Sequence, residues 1–127
     1  MMNNRDNLIS IIVPCYNEEH AIPYFYKAIT EHSTLMKNEF GVDFEYLFIN
    51  DGSVDNTLTV LKEYASKDNR VKYISFSRNF GKESAMYAGL KNASGNYIAI
   101  MDADLQDPPY LLTEMYKTII ESDYDCV

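Results

Sequence analysis

Leu8 to Val13 (LISIIV) form a nearly continuous apolar, β-branched run closed by Pro14. A run without polar alternation predicts a strand buried on both faces of a parallel sheet. The period then changes. From about His20 to Asn38, Ile22, Phe25, Tyr26, Ile29 and Met36 fall on one helical stripe, with Lys27, Glu31 and Lys37 on other faces and Gly41 at the exit. Phe44 to Ile49 (FEYLFI) predicts a second strand, ended by the turn sequence Asn50-Asp51-Gly52-Ser53. A second helix follows, with Asp55 placed to cap it and Leu58, Leu61, Tyr64 and Ala65 as its apolar stripe. Val71 to Phe76 is the third strand, and Gly81 to Ala93 is a helix whose Ala85, Ala88, Gly89 and Leu90 suit close packing on a sheet. Tyr97 to Met101 is the fourth strand. Asp107 at the N-cap and Pro108 at the first helical position open a fourth helix, with Leu111, Leu112, Met115 and Ile119 facing the core.

Four alternations of strand and helix at this spacing leave room only for crossover units, so the fold class is α/β: a three-layer α/β/α arrangement on a mostly parallel, Rossmann-like sheet. The polar lead-in, residues 1–7, reads as disordered, and residues 8–127 read as one domain. Tyr124 to Val127 reads as the start of a further strand in which the sequence stops, so the chain is expected to be truncated at its C-terminal side. A sheet cut there would expose an apolar edge and invite self-association.

At 127 residues, 46% hydrophobic and 24% charged, the composition is that of a folded globular domain. The net charge of -8 argues against nucleic acid as a partner, so an anionic ligand would need local donors or a metal. Cys15 and Cys126 lie far apart with no secretory signal, which favours buried thiols in a reducing compartment. The longest apolar run is far too short to span a bilayer. His20 and His32 read as surface residues without a matching catalytic partner.

In open α/β sheets ligands bind at the carboxyl ends of the strands, and all four loops there are rich in acid and amide groups. They read Pro14-Cys15-Tyr16-Asn17-Glu18-Glu19, Asp51-Gly52-Ser53-Val54-Asp55, Arg78-Asn79-Phe80-Gly81-Lys82 and Asp102-Ala103-Asp104-Leu105-Gln106-Asp107. Asp102 and Asp104 can aim hard oxygen ligands at Mg²⁺ or Mn²⁺, which would complete its shell with water and substrate phosphates; a solvated acidic loop is the other reading. An EF-hand counted from Asp102 fails, because Asp107 and Thr113 stand where Gly and Glu are required. An aspartyl phosphatase with Asp102 as nucleophile is a weaker rival, since its acidic pair follows the first strand rather than the fourth. Neither a P-loop nor a dinucleotide fingerprint occurs, so nucleotide recognition would fall to side chains. Asp51 can accept from a base N–H, and Asn17 and Glu18 from base or ribose groups. Alternatively, Asp51 and Ser53 form an Asx-type turn and Asp55 caps the helix. Arg78 and Lys82, with the positive end of a helix starting near Gly81, could hold phosphate; otherwise they are plain surface cations.

Together the stretches IVPCYNEE, INDGSVDNT, SRNFGKESAMYAGL and MDADLQDPP, in that order and each at a strand end, resemble glycosyltransferase family 2, the inverting nucleotide-sugar transferases of GT-A fold. Within it the likeness is greatest to the polyprenyl-phosphate sugar transferases. The resemblance implies that Pro14, Tyr16, Asn17, Glu18 and Asp51 line the base and ribose pocket and that Arg78, Asn79 and Lys82 lie near the diphosphate. It also implies that Asp102 approaches the ribose or metal, that Ala103 lies in the nucleotide-sugar site, and that Asp104 is the main metal ligand with Gln106 as a possible second. Asp104 and Asp102 are thereby the catalytic pair. The implied donor is a UDP- or GDP-linked sugar and the acceptor a lipid phosphate or glycan, met through a C-terminal half that the sequence lacks. The implied place is the cytoplasm, at the membrane face in the full-length protein. The alternative is a catalytically silent module that binds nucleotide sugar or metal.

Overall fold

The computed structural model describes residues 7–122; the strand expected at Tyr124 to Val127, Cys126, and the lead-in up to residue 6 lie outside them. The elements are β1 (Leu8–Cys15), α1 (Ala21–Phe40), β2 (Asp43–Asn50), α2 (Thr57–Lys67), β3 (Val71–Ser75), α3 (Lys82–Asn92), β4 (Tyr97–Ile100) and α4 (Tyr110–Ser122). All pairings are parallel and the strand order is β3-β2-β1-β4.

Strand alternation sorts the core into two layers. Ile9, Ile11, Val13, Phe44, Tyr46 and Phe48 face one side, where they meet Ile22, Phe25 and Ile29 of α1, Leu61 of α2, and Leu112 and Tyr116 of α4. Ile12, Leu47 and Ile49 face the other, against Ala85 of α3. Connections between parallel strands are right-handed, so the two crossovers that build β1 to β2 to β3 put α1 and α2 on one face. The return from β3 past β1 to β4 then puts α3 on the opposite face. Gly89 is where α3 comes closest, since a Cβ there would stand 2.4 Å from Ile12 Cγ2. The order reverses between β1 and β4, and that is the switch point at which open α/β sheets carry their ligands.

Pro14 does not end β1. The strand runs on to Cys15, with Pro14 opposite Ile49. Ile12 O accepts from Met101 N on the β4 side and Cys15 O accepts from Asp51 N on the β2 side. Alternation therefore turns the missing N–H of Pro14 toward β4, which has already ended at Ile100. A proline costs no ladder bond where the neighbouring strand has turned away.

Helix α4 starts at Tyr110 rather than Pro108. Pro109 disfavours helical geometry at Pro108, and Pro108 does the same at Asp107, so the helix opens only after the second proline. Its first bonds, Leu111 N to Pro108 O and Leu112 N to Pro109 O, are tight i to i−3 turns. Of the expected stripe Leu112 is buried, Leu111 and Ile119 are half-buried and Met115 is exposed, while Tyr116 joins the buried face. Leu90 of α3 is likewise exposed. His32 is half-buried, within 2.8 Å of Thr113 Oγ1 on α4, and burial lowers its pKa.

At the amino ends of the strands, buried Glu45 accepts from Ser10 Oγ, from Ser94 N at 2.6 Å and from Lys72 Nζ at 2.9 Å. Ser10 Oγ in turn accepts from Gly95 N at 2.8 Å. Burial pushes the Glu45 carboxyl up, but the bonds from Ser10, Ser94 and Lys72 outweigh it and hold the pKa below its ordinary value. Glu45→Ala strands buried donors and should cost about 1–3 kcal/mol in urea unfolding. A depressed carboxyl binds fewer protons folded than unfolded, so its stabilisation is present above the unfolded pKa and lost as pH falls through the folded one. Glu45→Gln should flatten that acid limb, and an unchanged limb would contradict the assignment.

Candidate functional site

The carboxyl ends of β1, β2 and β4 and the start of α3 enclose a cleft of about 580 Å³. It is lined by Pro14, Cys15, Tyr16, Glu18, Asp51, Asn79, Gly81, Lys82, Asp102, Ala103, Asp104 and Gln106. Of the residues that the family resemblance assigns to the site, Asn17 and Arg78 are the two missing from this lining. Asn17 has φ 55, and its N–H donates to Ser53 Oγ at 2.9 Å while its Oδ1 accepts from Val54 N at 2.9 Å. The guanidinium of Arg78 lies over the Phe80 ring, 4.6 Å from its centroid.

Asp51 is buried, and both its oxygens hold the β3–α3 loop: Oδ1 accepts from Phe80 N at 2.7 Å, Oδ2 from Gly81 N at 3.0 Å and from Asn79 Nδ2 at 3.2 Å. The amide of the α3 N-cap, Gly81, and the one before it are thus turned to a carboxylate of the protein itself. Gly52, at φ 67, lets that loop cross directly over the β2–α2 loop; a Cβ would stand 2.1 Å from Arg78 C.

Asp55 sits one residue before the observed N-cap, Asn56. It still acts on the helix start, since its Oδ1 accepts from Thr57 N at 3.0 Å and from the Thr57 hydroxyl. Its Oδ2 accepts from Glu19 N at 3.3 Å. Burial pushes the Asp55 carboxyl up, but these bonds from Thr57 and Glu19 outweigh it and hold the pKa low.

On the acidic side, Asp102 is half-buried and accepts from Lys82 Nζ at 2.8 Å. Asp104 is exposed and accepts from Gln106 N at 3.3 Å. Leu105 between them adopts φ 58, a left-handed turn rare outside glycine. Burial, then the charges of Asp104, Asp55 and Asp102, raise the pKa of Glu18. A carboxyl group pushed up by the negative charge around it marks a place where a cation is favoured. The described residues contain no group of three or more His, Cys, Asp or Glu able to hold a metal ion. Asp102, half-buried, and Asp104, exposed, could offer a hard cation two carboxylates, a sparse set that leaves its other ligand places to water or phosphate.

Cys15 and Gly81 line the cleft although sequence reasoning gave them no role there. The thiol of Cys15 is buried, and burial, then the charge of Glu18, drives its pKa far upward, so it is an inert thiol and not a nucleophile. The signal was present in strand alternation, which continues through Pro14 and turns Cys15 to the core.

An acidic, amide-rich cleft at the switch point of a parallel sheet defines a ligand-binding α/β protein, and sequence comparison refines that class. The chain belongs to glycosyltransferase family 2, whose sequence model, "Glycosyl transferase family 2", matches residues 10–127. It is 48% identical over 123 residues to CsbB of Bacillus subtilis, covering 97% of this chain and 36% of that protein. It is 49% identical over 100 residues to the bactoprenol glucosyl transferase of Shigella phage SfV, covering 79% of this chain and 31% of that one. The crystal structure of S. aureus TarS 1-349 in complex with UDP matches with TM-score 0.68 and 28% identity, over 89% of this chain and 32% of that one. The sheet and helices thus have the α/β architecture of part of a GT-A glycosyltransferase fold. The chain spans about a third of the length of the relatives it matches. No helix among the described residues is long and apolar enough to cross a membrane.

Proposed function

We propose that this chain is the donor-binding half of an inverting glycosyltransferase that moves a sugar from a UDP- or GDP-linked donor to a polyprenyl phosphate. The observation that carries the reading is the single cleft that gathers residues of all four strand-end loops at the switch point. The names of the relatives support the direction: one is a bactoprenol glucosyl transferase, and a structural neighbour holds UDP. The full-length protein would then work at the cytoplasmic face of the membrane, where its lipid acceptor presents its phosphate.

In this reading Tyr16 and Glu18 form the base and ribose wall, with Asp51 at its floor. Lys82, paired with Asp102 at 2.8 Å, stands where it can turn to a donor phosphate. Asp104, with Gln106, would hold Mg²⁺ or Mn²⁺, which when bound neutralises charge developing on the departing nucleoside diphosphate. A phosphate acceptor is largely ionised near neutral pH, its second pKa being about 6, so this half needs no poised base. Asp51, with both oxygens turned to the 79–81 loop, is not one.

Titration calorimetry with UDP and with GDP, each in Mn²⁺ and in EDTA, tests the reading. One nucleotide is expected to bind, more weakly in EDTA, with no sugar transfer by this chain alone. Failure of both nucleotides to bind the folded chain would remove the donor-site reading. Donor binding by the full-length protein without transfer would favour a silent binding module.

A further inference from the structure

We infer that Thr57, acting with Asp55 and Ser53, is a positioning residue that sets the nucleotide wall of the cleft without touching the ligand. The inference rests on the reading of the cleft as a donor site. None of the three lines the cleft. Each instead takes a backbone N–H from the β1–α1 loop, which supplies Tyr16 and Glu18. Ser53 Oγ accepts from Asn17 N at 2.9 Å, Thr57 Oγ1 from Glu18 N at 2.9 Å, and Asp55 Oδ2 from Glu19 N at 3.3 Å. Three successive amides of one loop are therefore held by two side chains of the β2–α2 loop and by the first residue of α2.

Thr57 is the centre of this contact. Its side chain is fully buried, and its hydroxyl has one hydrogen. That hydrogen goes to Asp55 Oδ1, which leaves the oxygen lone pairs for Glu18 N–H. Asp55 fixes the hydroxyl in the orientation that accepts. Sequence position alone assigns Asp55 and Thr57 to the start of α2, and the helix would form with a simple cap there. What a cap does not require is the reach across to Glu18 and Glu19, residues 39 and 36 positions away in sequence. Because Tyr16 and Glu18 flank or carry these amides, loosening them moves the wall while leaving the sheet intact.

The test compares Thr57→Val, Thr57→Ser and Ser53→Ala. Valine keeps the volume and removes the acceptor, whereas serine keeps the hydroxyl and loses a methyl. Affinity for UDP or GDP, whichever the parent chain binds, is titrated in Mn²⁺ at a temperature where circular dichroism finds every variant folded. Amide hydrogen exchange over residues 16–19 is read in the absence of nucleotide. Thr57→Val should weaken the nucleotide about five- to tenfold, the scale of one hydrogen bond, and speed exchange at Glu18. Thr57→Ser should keep the affinity even though it lowers the melting temperature, so stability and affinity separate. Ser53→Ala, on the surface loop, should weaken binding and speed exchange at Asn17 without loss of the fold. If Thr57→Val and Ser53→Ala bind like the parent, the positioning role is overturned while the donor site stands. If the parent binds neither nucleotide, the donor-site reading itself fails and the role falls with it.

Discussion

Gly52→Ala should lower the thermal midpoint by roughly 10 °C or more, while Gly41→Ala should cost only a few degrees. Both glycines have left-handed backbone, φ 67 at Gly52 and φ 74 at Gly41, so both variants carry the same conformational penalty of about 1–2 kcal/mol. Their surroundings differ. A Cβ at Gly41 meets nothing within 4 Å, whereas at Gly52 it would stand 2.1 Å from Arg78 C and 2.3 Å from Asn79 N. Those are backbone atoms, which cannot rotate aside as a side chain can. The β3–α3 loop would have to lift, breaking the bonds from Phe80 and Gly81 to Asp51. The two strand-end loops would then separate, so nucleotide binding should fall with stability. Equal midpoints for the two variants would mean that the loop crossing is not tight in solution.

Most of the architecture could be read from the chain because it depends on local periodicity. A β-branched run such as LISIIV has few alternatives to a buried strand, and the α1 stripe buries Ile22, Phe25, Ile29 and Met36 as its spacing requires. The misreadings lie where a residue's role depends on something distant in sequence. Pro14 looked like a strand end because its missing donor matters only if a neighbour is present, and sheet order decides that. Helix α4 starts later than Asp107 and Pro108 alone predict, because the following Pro109 acts on the residue before it. Asp51 and Asn17 have the right chemistry for a ligand. In the folded chain Asp51 gives both oxygens to the 79–81 loop, and Asn17 gives its side-chain oxygen to Val54. Cross-loop hydrogen bonds between residues 29 to 37 apart leave no mark on spacing. A strand-end loop therefore predicts where the cleft lies better than it predicts which of its polar groups face inward.

Asp104→Ala should remove the metal-dependent part of nucleotide binding by this chain and cut sugar transfer by the full-length protein at least about a hundredfold. The reason lies in how the cleft's carboxylates are engaged. Asp51 holds the 79–81 loop with both oxygens. Asp102 is paired with Lys82 at 2.8 Å. Glu18 has its pKa raised by burial and then by its acidic neighbours. Asp104 is exposed, and among the described residues its side chain accepts only a long bond from Gln106 N, so it can meet a cation without giving up a strong partner. Asp104→Asn, similar in size but uncharged, should lose nearly as much, because a hard divalent cation needs the carboxylate charge. In EDTA, parent and variants should bind nucleotide alike, since what remains is base, ribose and lysine contacts. Asp102→Asn should have a smaller effect on metal dependence and should free Lys82 for the donor phosphates. If Asp102→Asn instead abolishes the Mn²⁺ effect while Asp104→Ala leaves it intact, the metal belongs on the half-buried carboxylate and Lys82 must leave it before the cation can bind.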